Sequence, residues 1–125
     1  MIRAFSFAST PQLHFGAGKI AVLPAAIKAF GVKVLLVTGA RSFTSSSKGQ
    51  ELLHKLEDQG INFNQYTIAR EPTPAMIDGA VRRFFSVEPD CIVAVGGGSA
   101  LDAGKAISAM LPLNEGVKDY LEGVG

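Results

Sequence analysis

At 125 residues the chain has the length of one domain, enough for a single hydrophobic core and too short for two. Twelve basic against eleven acidic residues leave a net charge of +1, with no lysine-arginine run or acidic tail, which argues against a nucleic-acid partner. Apolar runs are short, the N-terminus lacks a signal-like stretch, and the one cysteine, Cys91, cannot form an internal disulfide, so a cytoplasmic protein with no membrane partner is expected.

In chain order, Phe5 and Phe7, then Leu13 and Phe15, alternate with small or polar residues around Ser9-Thr10-Pro11, which predicts an N-terminal β-hairpin. Residues 22–30 predict a short helix closed by Gly31. Residues 32–38 (VKVLLVT) are almost continuously apolar, as in a parallel strand covered on both faces, and Gly39 ends the run. Ser45 to Ser47 offer N-caps for a helix through Gln59, with Leu52, Leu53 and Leu56 on one stripe and Gly60 as its stop. Ile61, Phe63 and residues 66–68 predict the next strand.

Thr73-Pro74 then sets an N-cap before a proline at the first helical position. That helix is expected to reach about Val87, burying Ile77, Ala80, Val81, Phe84 and Phe85. Residues 91–95 (CIVAV) predict a second buried strand, running into Gly96-Gly97-Gly98-Ser99 and a helix over residues 100–111. A short helix over 117–121 closes the reading. Strands and helices alternate with short connections, so the expected fold is a Rossmann-like α/β three-layer sandwich around a mostly parallel sheet. No strand follows the last segment, so the sheet reads as interrupted.

Three glycine clusters compete for a chemical role. Gly16-Ala17-Gly18-Lys19-Ile20-Ala21 fits a dinucleotide fingerprint by letter, but no buried strand precedes it and no acidic residue lies about 20 positions on. It reads as a turn. Residues 98–105 (GSALDAGK) resemble a phosphate loop, yet Ser99 stands where the first glycine belongs and Ala106 replaces the magnesium-binding hydroxyl. Gly96, Gly97, Gly98, Ser99 and Asp102 have the right context. A buried strand ends, glycines let the backbone turn and approach a ligand, and a helix N-terminus then offers free N–H groups to an anion such as a pyrophosphate. The competing reading is structural: Ser99 and Asp102 form an S-x-x-D capping box, and the glycines only permit close packing.

The stretch GGGSALDAGKAIS resembles the GGGSxxD-xxK signature of the iron-containing (group III) alcohol dehydrogenase family. The FGAGKI turn at residues 15–20, the strand ending in VTG at 37–39, and Pro72-Thr73-Pro74 agree in order, so the resemblance spans essentially the whole chain. Glycerol dehydrogenase and dehydroquinate synthase share the glycine run and remain as alternatives. The resemblance implies hydride transfer between a primary alcohol or aldehyde and NAD(P), with this chain, residues 1–125, as the dinucleotide-binding domain. It places Gly97, Gly98 and Ser99 on the pyrophosphate and Asp102 beside the nicotinamide side of the cleft, with Gly96 and Pro72 completing the cofactor set. The family pairs its N-terminal strand across a dimer, so at least a homodimer is implied.

The family's divalent metal, iron or zinc, is held by one Asp and three His in a helical second domain. The only histidines here, His14 and His54, read as surface residues, so no catalytic or metal-binding residue is assigned in this chain. The fragment alone is therefore expected to be inactive, and a stand-alone non-catalytic nucleotide-binding module is the rival function. One departure bears on the cofactor. NAD-preferring members often carry an Asp after the first strand, whereas this chain has Gly39 followed by Arg41 and Ser42. The missing carboxylate and the added cation favour NADP over NAD.

Overall fold

The protein is described from a computed structural model, which covers residue 4, residues 11–40 and residues 43–113. A 3-10 turn at Lys19–Val22 leads into α1 (Leu23–Lys28). There follow β1 (Lys33–Gly39), α2 (Ser47–Asp58), β2 (Asn62–Ile68), α3 (Pro74–Phe84), a 3-10 turn at Phe85–Val87, β3 (Cys91–Val95) and α4 (Gly98–Met110).

β1 lies at the centre because its sequence tolerates nothing else. Val34 to Thr38 are all buried, so both faces of the strand need cover. Its two faces separate two cores. Val34 and Leu36 meet Ile27 of α1, Leu52 and Leu56 of α2, and Ile61. Leu35 and Val37 meet Ile77, Val81 and Phe84 of α3 and Ile107 of α4. Helices therefore cover both faces of the sheet. Each of these fully buried aliphatic side chains contributes about 1.5–3 kcal/mol of burial, far more than any surface contact here.

The sheet is parallel, with strand order β2-β1-β3. The chain leaves β1 in one direction through α2 to reach β2, then returns across the opposite face through α3 to reach β3. The switch in direction falls between β1 and β3, where Thr38 stands in register with Val95. In such sheets the connections after the two switch strands diverge and leave a crevice at the carboxyl edge.

Local devices fix this register. Ser46 caps α2 by accepting from Gly49 N at 2.9 Å, and Thr73 caps α3 by accepting from Met76 N at 3.2 Å. At the start of β1, Val32 N and Lys33 N both donate to Asp90 Oδ2 at 3.0 Å, tying the entry of β1 to that of β3. Gly31 has φ 147°, and a Cβ on it would collide with the Asp90 carboxylate, so the bracket requires glycine there.

Some expectations need correction. The Phe5 and Phe7 arm of the expected hairpin lies outside the described residues, and residues 11–15 form no strand. Leu13 and Phe15 are 85% and 90% exposed. Phe30, expected in the first helix, lies beyond its end and is 73% exposed, because α1 closes at Lys28. Phe85, expected on the buried face of α3, begins the 3-10 turn, whose tighter winding carries it out to 42% exposure. The helix expected over 117–121 lies outside the described residues. β3 is half-buried throughout, unlike β1, because among the described strands it has a neighbour on one side only. No helix among the described residues is long and apolar enough to cross a membrane.

Candidate functional site

The turn after β3 is set by one glycine rather than three. Gly96 has φ 150°, and a Cβ on it would lie 3.0 Å from Ala100 Cβ and 3.3 Å from Gly39 N. Gly96 thus brings the backbone after β3 against the end of β1, at the switch point. Gly97 and Gly98 lack positive φ angles, and a Cβ on either would meet nothing within 4 Å. Among the described residues, no packing contact requires glycine at either position, and the space beside them is open.

α4 starts at Gly98, two residues earlier than the sequence suggested, with Gly97 as its N-cap. This overturns the capping box. Ser99 lies inside the helix, Gly97 has no side chain to cap with, and α4 has no side-chain cap hydrogen bond. Asp102 is exposed on the second turn and does not reach back to the helix start. The first helical bond runs from Leu101 N to Gly97 O at 3.1 Å. The N–H groups of Gly98, Ser99 and Ala100 precede it, so none has a partner within the helix. α2 and α3 satisfy one such donor with a hydroxyl, whereas α4 leaves its own to solvent or a ligand, and its dipole favours an anion.

Gly39, Gly96, Gly97, Gly98 and Ser99 are thereby brought together at the crevice. Pro72 is half-buried in the connection after β2, at the same carboxyl edge but beyond β1 from the glycine turn. Arg41 and Ser42 lie outside the described residues. The turn at Gly16 and Gly18 precedes a 3-10 segment and follows no strand, which removes its resemblance to a dinucleotide fingerprint. An open trough of about 1070 Å³ runs from Leu13 and Phe15 along Val93 and Val95 to Gly96 and Leu101, with a mostly apolar lining.

Two contributions escaped the sequence reading. Gly104 is buried on α4, and a Cβ there would lie only 2.7 Å from Ala94 Cβ. It lets α4 press against β3 and so sets the height of the helix start above the sheet. Its spacing from Gly98 was visible, but the residue drew notice only as a letter of a failed phosphate loop. Thr38 is the second: fully buried at the end of β1, its hydroxyl accepts from Gln65 Nε2 at 3.1 Å, which joins β1 to β2 beneath Gly39.

The remaining chemically notable groups are quiet. The Cys91 thiol is held above its ordinary pKa of 9.0, first by burial and then by the Asp90 carboxylate, which disfavours a thiolate nucleophile. His14 and His54 are both exposed, and among the described residues no three His, Cys, Asp or Glu side chains come together.

Comparison with known proteins identifies the family and agrees with the fold. Residues 10–125 match the family described as iron-containing alcohol dehydrogenase. The chain is 32% identical over 108 residues to the NADH-dependent butanol dehydrogenase B of Clostridium acetobutylicum, covering 84% of this chain and 27% of that protein. It is 31% identical over 117 residues to long-chain-alcohol dehydrogenase 1 of Geobacillus thermodenitrificans, covering 92% and 29%. Among solved structures, the NADH-dependent butanol dehydrogenase A of Thermotoga maritima superposes with a TM-score of 0.82 at 25% identity, covering 93% of this chain and 30% of that one. The chain thus spans less than a third of the length of these relatives.

Proposed function

Because the chain belongs to the iron-containing alcohol dehydrogenase family, we propose that it is the dinucleotide-binding part of an enzyme moving hydride between a primary alcohol or aldehyde and NAD(P). The observation that carries this reading is the uncapped start of α4 beside two unobstructed glycines, at the switch point between β1 and β3. An anion bound there satisfies donors that no described group satisfies.

In this reading the N–H groups of Gly98, Ser99 and Ala100 hold the pyrophosphate. Gly96 fixes the turn that aims them, and Gly104 fixes the depth of the helix. Gly39 approaches the adenosine ribose, and Asp102 lies toward the nicotinamide end. When bound, the dinucleotide supplies the hydride acceptor or donor; the chain's own work is to bind, orient and partly bury it. In the same proposal the alcohol-activating metal of the family is held by other sequence of the whole enzyme, and the 125-residue chain alone binds cofactor without turning over alcohol. A homodimer belongs to the same proposal.

The cofactor preference proposed is NADP, because Gly39 offers no carboxylate to accept from a ribose 2′-OH or to repel a 2′-phosphate. The relatives named as NADH-dependent make the opposite choice a real competitor, and titration decides it. Calorimetric titration of the 125-residue chain with NADP and NAD should show binding of both, NADP more tightly. No heat with either dinucleotide would overturn the reading.

A further inference from the structure

A second cavity, of about 240 Å³, opens beside the crevice between α2 and the turn after β3. Its lining includes Ile20, Phe43, Ser46, Lys48, Val95 and Gly96. Gly96 lines both spaces, so the cavity lies next to the turn that leads into α4. Most of its wall is already committed. Ser46 accepts from Gly49 N and donates to Phe43 O, each at 2.9 Å, while Phe43 and Val95 are apolar. Among the described lining residues, Lys48 is the one charged side chain.

The Lys48 charge is uncompensated. Among the described residues it forms no ion pair, and α2 has no acidic residue in its first turn. Glu51, three positions on, pairs instead with Lys55 at 3.2 Å. Lys48 also borders a neighbouring cavity lined by Glu51 and Lys55, but there the two opposite charges already offset one another. Toward Gly96, no described carboxylate lines the cavity beside the ammonium. The end of β1 lies alongside, since Gly39 N is 3.3 Å from where a Gly96 Cβ would stand. A phosphate carried on a ribose at Gly39 would therefore sit at the mouth of this cavity.

We infer that Lys48 is a specificity-determining residue of the site, its ammonium taking the ribose 2′-phosphate that distinguishes NADP from NAD. The inference rests on the dinucleotide reading above and adds a residue to it from an element, α2, that the glycine motif does not include. Lys48 is exposed on the first turn of a capped helix, so replacing it leaves both cores untouched.

The test is calorimetric titration of the 125-residue chain with NADP and NAD at low and moderate salt, for wild type, Lys48→Gln and Lys48→Arg. Lys48→Gln should lose about tenfold in NADP affinity and nothing in NAD affinity, the size expected of one charge-assisted contact at a partly exposed site. Its NADP affinity should also fall less steeply with salt. Lys48→Arg, which keeps the charge, should retain the preference. An unchanged NADP/NAD ratio in Lys48→Gln, an equal loss for both dinucleotides, or a wild type favouring NAD would each overturn the role of Lys48 while leaving the pyrophosphate site standing. A wild type that binds neither would overturn both.

Discussion

Gly96 and Gly98 are two residues apart in one glycine run, and the structure assigns them opposite physical duties. At Gly96 the backbone has φ 150°, and a Cβ would press on Ala100 Cβ at 3.0 Å and on Gly39 N at 3.3 Å. Gly96→Ala should therefore cost about 1–3 kcal/mol from backbone strain alone, with more from the displaced helix start. That is a large share of the roughly 5–15 kcal/mol that holds a domain together. At Gly98 the backbone is ordinary, and among the described residues the added carbon meets no atom within 4 Å beyond its own stretch of helix. Gly98→Ala should leave stability unchanged or raise it by up to about 1 kcal/mol, since glycine loses the most chain entropy on folding. Gly98→Val should also fold, yet its side chain fills the space proposed for the phosphate. Dinucleotide affinity should fall at least about tenfold, which is roughly 1.4 kcal/mol. Urea denaturation reads the first effect and calorimetric titration the second. Equal destabilisation by Gly96→Ala and Gly98→Ala, or wild-type dinucleotide affinity in Gly98→Val, would refute the division of labour.

Gly39→Asp should lower the NADP/NAD affinity ratio about tenfold, because a carboxylate repels a 2′-phosphate and accepts from a 2′-OH; an unchanged ratio in paired titrations would remove Gly39 from the ribose. Ser99→Ala should shift the urea midpoint by less than about 0.5 kcal/mol, since Ser99 does not cap α4; a loss near the roughly 1 kcal/mol of a true N-cap would restore the capping box. For Cys91, whose thiol pKa is raised on folding, the stability contribution is complete below the unfolded value near 9.0 and is lost as pH climbs past the folded one. Wild type should lose more stability than Cys91→Ala between pH 8 and 11, and equal losses in urea melts would contradict it.

The sequence made the fold legible where burial is two-sided. VKVLLVT and CIVAV can be little else than strands of a covered parallel sheet, and both lie in one, with β1 at its centre. Thr73-Pro74 marked the start of α3 to the residue, because a hydroxyl cap and a proline act locally. Phe30 was placed in α1, which ends at Lys28. Phe85 was placed on the buried face of α3, and the end of that helix at Phe84 decided that burial was not available. The glycine run was legible as a turn; which glycine bears the strain was not, because that depends on the approach of Gly39 from a strand 57 positions away in sequence. The capping box failed because a two-residue shift of the helix start turns a cap into a helical residue. Lys48 carried no signal at all. A lysine early in a helix is common, and only the folding of α2 beside the turn after β3 makes its charge relevant.

The central claim is that the backbone amides at the start of α4 hold a dinucleotide pyrophosphate, and amide NMR spectra of the 125-residue chain during titration with NADP test it most directly. At 13.1 kDa the chain suits residue-by-residue assignment. The account predicts the largest shifts at Gly97, Gly98, Ser99 and Ala100, a smaller set at Gly39 and Gly96, and none at Gly31, Gly60 or Asp90 near the opposite edge of the sheet. Saturable shifts that bypass residues 97–100 would contradict it.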